Sequence, residues 1–92
     1  MQKAGFDVVV GSFEKQGIVY HAAITTPKNK GGYSRAEEYK VLLSHPNKRT
    51  VSFKLKQDEQ ARWMPDKRRQ VDPWIADEIG AIIESKILKK EG

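Results

Sequence analysis

Over much of the first two thirds of the chain, apolar side chains recur at every second position, which predicts β-strands. The alternation covers residues 6–13 and again residues 18–26. Residues 14–17 between them end in Gly17, which is free to take the positive φ that a tight turn requires. We therefore expect an antiparallel hairpin in this part of the chain.

The clearest single strand covers residues 50–56. Its apolar side chains stand at every second position, and they are Val51, Phe53 and Leu55. The alternate positions are polar, as expected for a strand with one buried and one solvated face. A slip of one residue would bury two lysines, so the register is firmly specified. A further short strand is predicted around residues 61–64, where Pro65 ends it or confines it to a sheet edge.

Residues 34–44 can be interpreted in two ways. As a helix they contain a capping box, Ser34 with Glu37, ahead of an apolar set. As a strand from about Glu38 they alternate, and they then lead through Pro46–Asn47 into the strand that follows. We favour the strand, because so short a link suits a hairpin.

The last element is a helix predicted over residues 73–90. Asp72 stands at the capping position and Pro73 at the first helical position, where each is favoured. One apolar stripe faces the sheet, and it consists of Ile75, Ile79, Ile82, Ile83 and Ile87. Gly80 interrupts a helix interior at a cost of roughly 1 kcal/mol, which indicates a close approach of helix to sheet.

These elements predict one α+β domain spanning residues 1–92, with an antiparallel meander of four to five strands and one C-terminal amphipathic helix packed on one face. Ninety-two residues leave no room for a second core. The chain has no cysteine, no signal-peptide pattern and no apolar run long enough to span a membrane, so we expect a cytoplasmic protein. Neither histidine belongs to a nucleophile or metal spacing, so we expect no enzyme, cofactor, metal or small-molecule substrate.

The net charge of +5 is concentrated in the middle third of the chain. Residues 28–57 carry eight basic side chains against two glutamates, which favours nucleic acid as a partner. Residues 28–35 have the composition of a flexible basic loop, and the polar face of the strand at 50–56 adds lysines, so single strands are favoured over duplexes. The candidate contacts are Lys28, Lys30, Tyr33, Arg35, Lys48, Arg49, Lys54, Lys56, Lys67, Arg68 and Arg69.

The two tryptophans have different expected roles. Trp63 shares the parity of the apolar side of its short strand, so it is expected in the core or at a sheet edge, over the helix start. Trp74 lies off the main stripe of the helix. It either folds under the loop at residues 65–71 or joins Ala81 and Leu88 in a second strip that faces a partner. The alternative function is therefore a protein-interaction or assembly subunit, for example a homo-oligomer, whose charge serves solubility.

Overall fold

A computed structural model describes residues 5–29, 32–33, 35–46 and 48–88. Its strands are β1 (Gly5–Lys15), β2 (Ile18–Asn29), β3 (Gly32–Tyr33), β4 (Tyr39–His45), β5 (Lys48–Gln57) and β6 (Trp63–Pro65). One helix, α1 (Pro73–Ile83), continues into a π-helical turn, Glu84–Leu88. Five strands lie side by side in the order β1-β2-β4-β5-β6, all antiparallel, and β3 pairs with β2. The predicted α+β class, with an antiparallel sheet and a C-terminal helix, is confirmed.

The β1–β2 hairpin is closed by a two-residue turn. Gln16 and Gly17 have φ angles of 54° and 81°, the positive values that a type I′ turn requires at both positions. Lys15 pairs with Ile18 directly beside the turn, and the pairing continues to Gly5 opposite Lys28. The predicted hairpin is therefore confirmed, and both strands are longer than predicted.

Residues 39–45 form a strand, as we favoured, and the helical interpretation is wrong. Strand β4 pairs with β2 on one side and β5 on the other, so its backbone hydrogen bonds are met within the sheet. The register with β5 shifts between Leu43 and His45, which marks a bulge beside the connecting turn. Asn47 in that turn lies outside the described residues.

The predicted flexible loop at residues 28–35 is in part a paired structure. Lys28 pairs with Tyr33 and Asn29 with Gly32, so β2 extends well past Pro27. Pro27 is tolerated because its missing N–H points away from β1, on the side where β4 has not yet begun. The expectation of a freely flexible loop is wrong for these paired residues.

The helix packs its isoleucine stripe on one face of the sheet, as predicted. Ile75, Ile79, Ile83 and Ile87 are buried there, and Ile82 is half-buried. Asp72 is at the capping position as predicted, but its side chain makes no capping hydrogen bond; its carbonyl oxygen accepts from the N–H groups of Ile75 and Ala76. The α-helix ends at Ile83 and the π-helical turn at Leu88; residues 89 and 90 of the predicted helix lie outside the described part.

Two glycines set how closely the helix approaches the sheet. A Cβ on Gly80 would lie 2.2 Å from Cδ1 of Trp63, so the indole rests directly on the helix backbone. A Cβ on Gly11 would lie 2.8 Å from Cγ2 of Ile82. The predicted close approach at Gly80 is confirmed, and Trp63 is a core residue as predicted, although it packs against the middle of the helix and not its start.

Candidate nucleic-acid interface

The sheet face opposite the helix is uncovered, and it carries most of the exposed apolar surface. Large apolar side chains that are at least 40% exposed form what we call the apolar half of this open face: Phe6, Val8, Val10, Val19 and Leu42. They lie on β1, β2 and β4, at the positions alternate to the buried ones. The largest apolar patches on typical monomers, roughly 300–600 Å² in area, are often functional.

Lysines occupy the neighbouring part of the same face, which we call the basic half: Lys40, Lys54 and Lys56. Lys40 on β4 stands directly opposite Lys54 on β5. Like charges in that position oppose sheet formation. Two carboxylates offset them in part: Oε1 of Glu38 lies 3.7 Å from Nζ of Lys54, with both side chains about half exposed, and the Asp66 carboxylate accepts from the backbone N–H of Lys54. The basic half therefore keeps an excess of positive charge at close spacing.

The backbone around Lys54 shows how near the two lysines are. Its N–H donates to Oδ1 of Asp66 and its carbonyl oxygen accepts from the N–H of Asp66, both at 2.9 Å. These groups point away from β4, so Lys40 and Lys54 form a non-hydrogen-bonded pair. Side chains are closest in such pairs, with Cβ atoms about 4.5–5.5 Å apart. Both lysine side chains can therefore reach one anion above this pair.

A row of paired residues connects the two halves. Val8 pairs with Thr25, Thr25 with Lys40, and Lys40 with Lys54, so the row crosses four strands. At about 4.8 Å per strand the row is roughly 14 Å long. A ligand with an anionic edge and an apolar body could therefore contact both halves.

The structure brings together only part of the predicted set. Lys54 and Lys56 share the open face, and Lys67 lies beside them because its Nζ donates to the carbonyl oxygen of Ser52 at 2.6 Å. Arg68 and Arg69 are exposed in the loop after β6, next to Lys67 in the chain.

The other predicted cations lie elsewhere. Lys28 is on the side of β2 that carries buried Thr26, which is the helix side. Arg35 is held at the sheet end by donation from Nη2 to Oε1 of Gln57 at 2.6 Å. Arg49 is exposed at the bulge of β5. Lys30, and the side chain of Lys48, lie outside the described part of the chain.

Tyr33, predicted to stack on a base, is tied to β1. Its hydroxyl donates to Oδ2 of Asp7 at 2.9 Å, and the side chain is only about one-third exposed. This hydrogen bond lowers the pKa of Asp7, which the backbone N–H of Val8 lowers further, and it raises the pKa of Tyr33. The ring lies at the end of the sheet on the helix side, apart from the basic half.

Trp74, Ala81 and Leu88 do not form a continuous exposed strip. Trp74 packs edge-on against Phe13 and Tyr20 of the hairpin, with ring centroids 5.9 and 5.4 Å away. Nζ of Lys15 lies 4.3 Å from its ring centroid. Leu88 is half-buried and lines a cleft of about 780 Å³ beside Trp63. Of the three, only Ala81 is exposed.

Sequence reasoning left Lys40 out of the candidate set. The signal was present, since Lys40 alternates with Tyr39 and Val41 on the strand that we favoured. This alternation did not assign Lys40 to the open face while residues 34–44 also had a helical interpretation, because a helix would have placed Lys40 on a different surface.

Within the described residues, three or more His, Cys, Asp or Glu side chains nowhere come close enough to hold a metal ion. No helix in the described part of the chain is long and apolar enough to cross a membrane.

No protein-family model matches the chain, no curated protein is significantly similar to it, and no solved structure matches it significantly.

Proposed function

We propose that this protein binds single-stranded nucleic acid across the open face of its sheet. In this proposal Lys40, Lys54 and Lys56 contact phosphates, and the apolar half contacts the faces of unpaired bases. Lys67 and the arginines at 68 and 69 extend the positive rim beyond β5.

The observation that carries the proposal is the direct pairing of Lys40 with Lys54 on an uncovered face. Like charges on directly paired residues are unfavourable in the free protein. A phosphate between them replaces repulsion with two attractions, and its binding releases condensed counterions from the nucleic acid.

The neighbouring apolar half favours single strands. Unpaired bases expose apolar faces that can lie on a protein surface, whereas a duplex hides them in its stack. An open sheet face is also the surface on which several single-strand-binding folds splay out bases. Val8, Val10 and Leu42 would provide this contact through aliphatic side chains, which suits binding with little sequence preference.

Fluorescence anisotropy of labelled single-stranded and duplex oligonucleotides, at about 50 and 200 mM salt, tests the proposal. Single strands should bind more tightly, and affinity should fall steeply with salt. The double variant K40E/K54E should lose at least tenfold in affinity and show a shallower salt dependence, because two phosphate contacts are removed.

Lys28→Glu is the matched control, because it makes the same charge change on the helix side of the sheet. It should reduce affinity much less than Lys54→Glu does. Equal losses in the two variants would show that net charge alone drives binding, and unaltered binding by K40E/K54E would remove the open face from the proposal.

A further inference from the structure

Strand β1 is the long outer strand of the sheet, and one side of its backbone faces away from β2. The two-residue turn makes Lys15 and Ile18 a hydrogen-bonded pair, so odd-numbered residues of β1 bond to β2. The backbone N–H and C=O groups of the even-numbered residues therefore point outward from the sheet edge. Two contacts agree with this assignment: Nζ of Lys86 donates to the carbonyl oxygen of Val10 at 3.0 Å, and the N–H of Val8 donates to Oδ1 of Asp7 at 2.9 Å.

The opposite edge of the sheet is protected. Strand β6 has only three residues and ends in Pro65, which has no N–H to donate. Beyond β6, Nζ of Lys67 donates a hydrogen bond to the carbonyl oxygen of Ser52 on β5. Short strands, proline and lysine are common means of blocking edge pairing. By contrast, β1 has eleven residues. Among the described residues, Lys86 is the one lysine that contacts its edge, and it donates to a single carbonyl oxygen, that of Val10.

We propose that β1 pairs with β1 of a second copy of this chain, antiparallel, about a two-fold axis at Gly11. This register keeps the open faces of both copies on one side, because the pleat alternates with a period of two. It places Asp7 opposite Lys15 of the second copy, and the symmetry forms that opposite-charge pair twice. It also places Val9 opposite Phe13, a β-branched and aromatic pair of the kind that stabilises neighbouring strands.

Lys86 controls this edge. In the proposed register the N–H of Ser12 from the second copy donates to the carbonyl oxygen of Val10, which Lys86 occupies in the single chain. Pairing of the two β1 strands therefore requires the Lys86 ammonium to leave the Val10 carbonyl oxygen. The pairing replaces this one exposed contact with a ladder of backbone hydrogen bonds. The association is independent of nucleic-acid binding, although it would bring the apolar halves of two open faces together.

Sedimentation equilibrium of the full chain, from micromolar to submillimolar concentration, tests the proposal. The parent should form dimers. Ser12→Pro should remain monomeric, because it removes the outward N–H while leaving the bonds to β2 intact. Lys86→Met should dimerise several-fold more tightly, since the competing ammonium is gone. Circular dichroism confirms that each variant keeps its fold.

The charge pair gives a test that does not depend on proline. Asp7→Lys and Lys15→Asp should each weaken dimerisation on the order of tenfold, because both symmetric pairs become repulsive. The double exchange D7K/K15D should restore most of the loss, which a merely structural role of either residue would not produce.

Leu42→Glu is the control on the open face, away from the edge, and it should dimerise like the parent. Dissociation by Leu42→Glu to the extent seen for Ser12→Pro would mean that the copies meet through the open face, and it would overturn the proposal. So would a monomeric parent throughout the concentration range, or a D7K/K15D variant as weak as its singles.

Discussion

The contact of Trp63 with Gly80 shows how one missing side chain fixes the distance between helix and sheet. The indole lies against the helix backbone, and its Nε1 donates to Oε2 of Glu84 one turn later, at 2.9 Å. Trp63 also packs near Tyr39, with ring centroids 6.1 Å apart. The ring is therefore held on two sides and has little freedom to move away from an added atom.

Gly80→Ala should destabilise the protein by roughly 2 kcal/mol. Alanine adds about 1 kcal/mol of helix propensity, but overpacking against a held ring costs up to about 3 kcal/mol. Urea unfolding measures the change. Gly5→Ala is the control, because a Cβ there meets nothing within 4 Å, and its unfolding midpoint should be close to that of the parent. A Gly80→Ala variant more stable than the parent would contradict the close contact.

The hydrogen bond between Tyr33 and Asp7 can be tested by titration. Because the bond stabilises the carboxylate, Asp7 has a pKa below its usual value in the folded protein. Its contribution to stability is then present above the usual pKa and is lost as the pH falls through the lowered one. In Tyr33→Phe, NMR titration of the carboxyl carbon should show the Asp7 pKa shifted upward.

Asp58 is an internal control in the same titration, because its lowered pKa is due first to the backbone N–H of Arg62 and has no contribution from Tyr33. An unchanged Asp7 titration in Tyr33→Phe would show that the phenol is not the partner in solution.

At the scale of elements, the turn between β5 and β6 is organised by one carboxylate. Oδ1 of Asp58 accepts from the N–H groups of Gln60 and Arg62, at 2.8 and 2.9 Å, and Oδ2 accepts from Nε of Arg62. The backbone closes the loop through donation from Asp58 N–H to the Arg62 carbonyl oxygen at 2.9 Å. This closure requires Ala61 to adopt a φ of 64°, which an alanine rarely takes.

Ala61→Gly should stabilise the protein by about 0.5–1 kcal/mol. Glycine removes a left-handed strain of about 1–2 kcal/mol and adds about 0.4–1 kcal/mol of unfolded-chain entropy. Thermal unfolding measures the result. Glu59→Gly, in the same turn but without a positive φ, has the entropy cost alone and should be less stable than the parent.

The elements that were predictable are those with a local signal. Gly17 between two alternating runs favours a tight hairpin, and the isoleucine stripe identifies the helix. Which face of β1 is buried could not be predicted, because Phe6, Val8 and Val10 are as apolar as the set containing Val9 and Phe13. The choice depends on Gly11, whose missing side chain admits Ile82 from a helix some seventy residues later. Such a contact has no signature in the sequence of either element.

At the scale of the whole molecule, the sheet divides the chain into a covered apolar core and an open face that is half apolar and half basic. The predicted site drew most of its residues from the charge of the middle third and added Lys67, Arg68 and Arg69. Of these, Lys54 and Lys56 on the polar positions of β5 lie together, with Lys67 beside them. Lys28 is separated from them by the sheet itself, because residues close in sequence can project to opposite faces, and Arg35 is held at the sheet end by Gln57.

Leu42→Thr should distinguish the contribution of the apolar half to binding from that of the basic half. It removes apolar area beside Lys40 and leaves every charge in place. Affinity for single strands should fall several-fold by the same factor at about 50 and 200 mM salt, since the number of phosphate contacts is unchanged. Anisotropy titrations at both salt concentrations measure this. A change in the salt dependence would mean that Leu42 acts by positioning the lysines.

The order of elements along the chain also governs how the protein is made. All six described strands precede the helix that covers them, which begins only at Pro73. At about 5–20 residues per second, ribosomes take roughly 1–3 s to add residues 73–88. During that interval Val41, Phe53 and Leu55 have no helix to pack against, so the face of the nascent sheet that becomes the core is exposed in addition to the apolar half of the open face. We therefore expect newly synthesised chains to bind holding chaperones until the helix has been translated.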